Sequence, residues 1–343
     1  MTGTSLGAPV VTLTPAPVLD RTYFVSKVAV GGVNRAQAVG EELAGKGINV
    51  SRALHVAHIK APGVVPIGNS DPTVLDRTNS SSFITPLWVD GDLRVSTTIV
   101  EDDGATTRIT ETPRALSQAD WESVIDLTEQ TVKANHAKWL VVAGAHPLIK
   151  ETGDFVDMTP LFDRMDALGV RVVLDTSGQP LIKWARSGRV AVIKPNCEEL
   201  ATAVGRPLTT IGDVIDAAHE LCEHGIQAVL ASLGGDGIIA VTKDGYVGAR
   251  TNPVKVSNTV GAGDATLAGF LSAVGPNPLP AGETVLGVGF DVIHGVATAV
   301  RWGAAKVTQA TSGLKTVDNL PESFINENPD RSKLLDEPAL PEA

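Results

Sequence analysis

The chain has 343 residues, 43% hydrophobic and 20% charged, enough apolar material for one large core or a core with a small appendage. A formal net charge of −11 leaves a nucleic-acid role without electrostatic support, and the two cysteines, Cys197 and Cys222, fit neither a metal spacing nor a disulfide framework. No apolar run approaches the roughly 20 residues that cross a bilayer, and Met1 to Pro9 lacks the regions of a signal peptide, so the expectation is a soluble cytoplasmic protein without a membrane partner.

Val10 to Pro15 reads as a short strand closed by proline, and the turn after it delivers one carboxylate, Asp20. Thr22 to Val30 is β-rich and ends in Gly31-Gly32, which suits a hairpin. Ala44-Gly-Lys-Gly-Ile-Asn-Val50 is a glycine turn running into a helix. Gly40-x4-Gly45-Lys46 nearly spells a P-loop, but Gly47 stands where Ser or Thr must hold magnesium, so that reading is rejected. A lysine between two glycines at a helix start either grips a phosphate or sugar hydroxyl or is simply solvated. Ala61 to Ser82, rich in Pro, Gly, Asn and Ser, is expected to be loop with one short helix. Ser82 to Arg108 alternates as strands do, with a hairpin turn at Asp102-Asp103-Gly104 and positive charge from Arg94, Arg108 and Arg114.

From Ser117 the rhythm changes to alternating helix and strand. Helices are expected at Asp120–His136, Thr159–Leu168, Gly178–Arg186, Asn196–Val204 and Gly212–His224. Strands are expected at Trp139–Gly144, Arg171–Asp175, Val190–Pro195 and Ala228–Ser232, then a hairpin around Asp244-Gly245. A long helix is expected from about Glu283 to Trp302, and the proline-dotted acidic stretch 321–343 reads as a disordered tail. Repeated βα units imply an α/β fold with a parallel sheet covered on both faces. Ligands of such sheets sit beyond the C-terminal strand ends, where Asn196, Ser232, the Gly234–Gly237 loop and Asp264 fall.

The stretch Asn258-Thr-Val-Gly-Ala-Gly-Asp264 carries the most chemistry. Gly261 and Gly263 leave backbone N–H groups open to an anion, and the helix that follows turns its positive end toward the same place. Asp264 puts a carboxylate beside that anion hole, as transfer of a phosphoryl group to a hydroxyl requires. Taken alone, the same residues also describe an ordinary helix start with an Asp cap.

Several motifs then match one family in order. Asn258 to Gly269 resembles the C-terminal signature of the PfkB (ribokinase-like) carbohydrate kinases. Lys194-Pro-Asn-Cys-Glu-Glu-Leu200 resembles their K-P-N-x-x-E-L, and Ala44 to Val50 their G-G-K-G-x-N-V. That last form, with Thr12 to Asp20 and Leu174-Asp-Thr-Ser177, resembles the 1-phosphofructokinase and tagatose-6-phosphate kinase branch. The resemblance covers about residues 10–320 and implies a single kinase domain. Its fold would be a three-layer αβα core with a mostly parallel sheet plus a small β-sheet lid, with lid strands from about 12–36 and 83–110. The lid would also make a homodimer contact.

Carried over by position, the resemblance makes Asp264 the base and Gly261, Ala262 and Gly263 the anion hole. ATP and Mg2+ would be placed by Asn196 and Glu199, the latter an indirect metal contact. Ser232, Gly234, Gly235 and Gly237 would line the nucleotide site. The sugar would meet Asp20, with Gly45, Lys46, Asn49 and Arg94 toward its phosphate and Arg108 as a further candidate. A phosphorylated acceptor needs cations at the far end of its site, and Lys46 and Arg94 meet that need. The expected activity is therefore ATP-dependent phosphorylation of fructose 1-phosphate. Tagatose 6-phosphate, fructose 6-phosphate, or a weakly catalytic sugar-phosphate-binding regulator are the alternatives. Departures cluster on the acceptor side: Ala44 replaces the first glycine of G-G-K-G, the G-S-L-P turn reads Gly144-Ala-His-Pro147, the usual glycine-rich segment is replaced by Pro62 to Ser82, and Thr110 to Arg114 only loosely matches N-E-P-G.

Overall fold

Val- and Ile-rich runs that are apolar on both faces make strands buried between helices, and most of this chain follows that rule. The computed structural model describes residues 9–276, 279–309 and 313–341. Its first part runs β1 (Val10–Leu13), β2 (Val18–Val25), β3 (Ala38–Ala44), α1 (Lys46–Val56), β4 (Gly63–Gly68), α2 (Val74–Arg77), β5 (Ile84–Val89), β6 (Val95–Glu101) and β7 (Thr106–Thr110). The alternating part follows with α3 (Gln118–Asn135), β8 (Trp139–Ala143), α4 (Thr159–Ala167), β9 (Arg171–Asp175), α5 (Gly178–Ala185), β10 (Val192–Ile193) and α6 (Cys197–Val204). Next come β11 (Leu208–Thr210), α7 (Ile211–Glu223), β12 (Ala228–Ser232), β13 (Ile238–Thr242), β14 (Gly245–Thr251), α8 (Ala262–Val274), α9 (Val292–Val307), β15 (Ser323–Asn326) and β16 (Leu334–Ala339).

One large sheet has the order β15-β14-β13-β12-β10-β9-β8-β1-β4-β5. It is parallel from β12 to β5 and antiparallel from β12 to β15. On one face, Trp121, Phe162, Leu200 and Leu221 from α3, α4, α6 and α7 fill the core. On the other, Leu54, Phe270, Leu271 and Trp302 from α1, α8 and α9 do so. This is the expected three-layer arrangement. A separate four-stranded sheet, β3-β2-β6-β7, stands over the strand ends, with Leu19, Leu43 and Ile48 packed beneath it.

Helices α8 and α9 approach closely through glycines. A Cβ on Gly303 would lie 2.3 Å from Thr266 Oγ1, and one on Gly269 2.8 Å from the Trp302 ring. Among the described residues no helix is long and apolar enough to cross a membrane.

Four expectations change. Ala61–Ser82 holds the expected short helix, α2, among turns, but also a strand that was not expected, the fully buried β4. Pro66 is tolerated because it lies beyond the last pair with β1, Leu13↔Val64, so its missing N–H breaks no ladder on that side. The lid strands are shifted from 12–36 and 83–110, because β1 and β5 belong to the large sheet while β3, Ala38–Ala44, joins the lid. The long helix starts at Val292, not Glu283, where the Asp291 carboxylate accepts from His294 N at 3.0 Å. Gly287, at φ 76°, turns the chain just before it. Within 321–343 the described part is not a disordered tail. β15 pairs with β14 and β16 with β11; each short strand has one partner edge and few buried side chains, so no apolar period marks it. Glu342 and Ala343 lie outside the described residues.

Candidate active site

Parallel strands bring their C-terminal ends to one edge of the sheet, and the charged residues gather there. β9 ends in Asp175, which is 1% exposed. Its carboxylate meets Lys46 Nζ at 2.7 Å and Lys194 Nζ at 3.2 Å. Burial alone would raise this carboxyl, but Lys194 and Lys46 hold it below the usual range. Lys46 opens α1 directly after Gly45, whose φ of 142° and close neighbour Thr14 admit no side chain. Its ammonium also reaches Glu199 Oε1 at 3.4 Å. Burial opposes that charge, but Asp175 and Glu199 outweigh it and raise the lysine.

Asn196 and Glu199 form a capping box at the start of α6. Glu199 N donates to Asn196 Oδ1 at 2.7 Å, and Asn196 N donates to Glu199 Oε2 at 2.9 Å. The segment Lys194–Asn196 pairs with Ser232, whose N–H donates to Pro195 O at 3.0 Å. Beyond Ser232 the tight turn Gly234–Asp236 and Gly237 follow.

Gly261 precedes α8 in the left-handed region, φ 80°, which leaves the first N–H groups of that helix without intrahelical acceptors. A Cβ on Gly263 would lie 3.0 Å from Lys194 Nζ, so the glycine lets a cation stand against the loop. Asp264 is 7% exposed and accepts from Asn49 Nδ2 at 2.8 Å. Burial first, then the charge of Asp175, pushes its carboxyl up to about 6, against the pull of Asn49, Lys46 and Lys194.

A cavity of about 1120 Å³ runs from Asn196, Ser232 and Gly234 past Gly263 to an apolar wall that includes Val300 and Val307. On the lid side, Asp20 accepts from Arg108 Nη2 at 3.2 Å, and Arg108 Nε donates to Ser96 Oγ at 2.9 Å. Burial raises the Asp20 carboxyl despite Arg108. Asp20 and Arg108 thus pair with each other within the lid. Arg94 does not present a free guanidinium: it donates to Ala16 O at 2.9 Å, Pro17 O at 3.1 Å and Glu111 O at 2.9 Å. It braces the Ala16-Pro17 turn against the lid.

Sequence reasoning quoted Asp175 and Lys194 inside motifs but gave neither a site role, and it passed over Arg52. Arg52, 8% exposed, donates through Nη1 to Asn49 Oδ1 at 3.0 Å and pairs with Glu42 at 3.5 Å. It thereby turns the Asn49 amide so that its NH2 faces Asp264. The signal was present: Asn49 and Arg52 are three apart on α1, hence neighbours on one face.

Residues 14–280 match the profile of the pfkB family carbohydrate kinases. The chain is similar to the 1-phosphofructokinase of Haloferax volcanii, 34% identical over 272 residues that cover 77% of this chain and 83% of that one. The 1-phosphofructokinase of Escherichia coli K12 is 30% identical over 265 residues, 76% of this chain and 83% of its own. Among solved structures, phosphofructokinase-2 from Escherichia coli in complex with potassium superimposes with a TM-score of 0.77 at 26% identity, over 91% of this chain and 96% of that one.

Proposed function

The chain belongs to the pfkB family of carbohydrate kinases, and from that premise we propose that it moves the terminal phosphoryl group of ATP onto fructose 1-phosphate, giving fructose 1,6-bisphosphate and ADP. It is a phosphotransferase with an alcohol group as acceptor, a sugar-phosphate kinase. The observation that carries the reading is the buried Asp264 carboxylate, held by Asn49 beside the Gly261–Gly263 loop and Lys194.

In the proposed reaction Asp264 would take the proton of the acceptor hydroxyl as its oxygen bonds to the terminal phosphorus. The bond from that phosphorus to the bridging oxygen breaks, and the electron pair leaves on ADP. Charge on the moving group would be met by the N–H groups of Gly261 and Gly263 and by Lys194; the Ala262 N–H, expected to join them, already donates to Thr259 O at 3.1 Å. Such transfer depends on positioning and neutralisation more than on covalent chemistry. The base of the nucleotide would lie against Val300 and Val307, its ribose near Gly234 and Gly237, and its phosphates toward Ser232 and Asn196. Asp20 would take sugar hydroxyls, with Arg108 as a cation for the sugar's own phosphate; Lys46, ion-paired with Asp175 and Glu199, would stand toward the transferring phosphoryl group instead.

Magnesium, when bound, neutralises the ATP phosphates. Among the described residues no group of three or more His, Cys, Asp or Glu is arranged to hold a metal ion. Magnesium usually keeps several waters, which fits an indirect role for Glu199, whose Oε1 and Oε2 already meet Lys46 Nζ and Asn196 N. The reading as a cytosolic enzyme rests on ATP as donor and on two unpaired thiols. The lid would pair with a second copy: Val39 and Ile109, 55% and 63% exposed, lie by register on the lid face opposite Asp20 and Arg108. Ile109→Asp should lower the mass seen by light scattering if this is so.

The test is ADP release with fructose 1-phosphate, tagatose 6-phosphate and fructose 6-phosphate in parallel. Fructose 1-phosphate is expected to give the highest kcat/KM. No turnover with any of them would reject the sugar-phosphate reading.

A further inference from the structure

The last strand, β16, lies outside the residues that the family profile matches, yet it forms one wall of the cavity assigned to the nucleotide. Leu335, Asp336, Glu337, Pro338 and Ala339 line that cavity together with Gly234 and Gly235. The strand is firmly seated. It pairs with β11 at Leu208↔Ala339 and Thr210↔Leu334. Gly212 N donates to Arg331 O at 2.8 Å and Ile211 N to Lys333 O at 3.0 Å. Leu335 and Ala339 are buried in the main core. The Asp236 side chain, only 2% exposed, pairs with Lys333 and accepts from Asp336 N at 2.9 Å. The nucleotide turn and the strand are therefore clamped through one buried carboxylate.

The clamp sets two further carboxylates against the glycine turn. Glu337 Oε2 lies 3.5 Å from where a Cβ on Gly234 would be, and Asp336 Oδ2 3.3 Å from one on Gly235. The Glu337 charge is felt across the cavity mouth: after burial, Asp236 and Glu337 help push the Cys197 thiol up to about 11. A carboxylate offers acceptors only. In an adenine nucleotide the donors are the base amine and the ribose hydroxyls; with the base against Val300 and Val307, the hydroxyls are the ones near the Gly234 turn, as in other nucleotide folds where an acidic side chain takes the ribose diol.

We propose that β16 is a built part of the nucleotide site and that Glu337 binds a ribose hydroxyl of the nucleotide. The proposal rests on the nucleotide placement given above, and it assigns the extension a role in substrate recognition.

The test is calorimetric binding of ADP, 2′-deoxy-ADP and 3′-deoxy-ADP to the full chain, which needs no turnover. The full chain should bind ADP roughly tenfold more tightly than at least one deoxy analogue, the size of one hydrogen bond to a charged group. Glu337→Gln should shrink that gap to about twofold while the melting temperature stays within about 2 °C. An unchanged gap in Glu337→Gln would overturn the proposal. No nucleotide binding by the full chain would instead reject the kinase reading along with it.

Discussion

Asn49 Nδ2 donates to Asp264 Oδ2 at 2.8 Å across 215 residues of sequence. That bond ties the first helix of the core to the turn that begins α8. It fixes the carboxylate in a place where burial would otherwise favour its neutral form. Arg52 holds the other end of the same amide, so Arg52, Asn49 and Asp264 form one relay.

Removing the base should separate activity from stability. Asp264→Asn should lower kcat by roughly 10²–10⁴, the usual size of general base catalysis, with ADP affinity little changed. Its folded carboxyl is raised from 3.8 to about 6, so the folded state binds the proton more strongly than the unfolded one. The resulting stability is present below about 4 and is lost as pH rises toward 6. At pH 7 the ionised group is therefore a liability of up to about 3 kcal/mol, and Asp264→Asn should melt higher than the parent. A variant with near-normal kcat would reduce Asp264 to a helix-terminal residue.

The same group sets a pH profile. A base must be ionised to accept a proton, so kcat/KM should be full above pH 7 and fall through an acid limb near 6. Asn49→Ala removes a bond that favours the carboxylate, so the limb should move to higher pH and kcat should fall roughly tenfold. Arg52→Met should give a smaller shift in the same direction. An acid limb unmoved in Asn49→Ala would show that the amide does not govern the base.

Lys194, 4% exposed, and Asp175, 1% exposed, form a buried pair. Lys194→Met should cost about 1.5–3 kcal/mol, because the carboxylate loses one charged partner and keeps Lys46. Lys194→Met with Asp175→Asn should recover part of the loss, a non-additivity readable from urea midpoints. Strict additivity would mean the two charges do not interact.

Gly303→Ala tests the packing that sets α8 in place. The new methyl would meet Thr266 Oγ1 at 2.3 Å, and overpacking of this kind costs typically 1–3 kcal/mol. The melting temperature should drop by a few degrees, and activity should fall too, because α8 carries Asp264. A variant as stable as the parent would show that the two helices have slack.

The alternating core was readable because its chemistry is local. Buried parallel strands such as Trp139–Ala143 are continuous apolar runs, and Ser117, Asn196 and Thr210 announce helix starts through caps that act within three residues. The glycine loop and the carboxylate beside it were readable for the same reason, since Gly261 to Asp264 are contiguous. Three strands were not: β4 is an interior strand interrupted by Pro66, and β15 and β16 bury little, so their order comes from partner strands elsewhere in the chain.

By itself the sequence determined the βα rhythm, the glycine turns and the residue types at the site, all properties of short windows. Only the tertiary structure decided which charges meet. It joined Lys46 and Lys194 on Asp175, and Asn49 on Asp264. It turned Arg94 away from a ligand and onto three carbonyls, and it laid β16 along the cavity. The reason is physical: a buried charge is tolerable only beside its partner, and those partners come from strands and helices far apart in the chain.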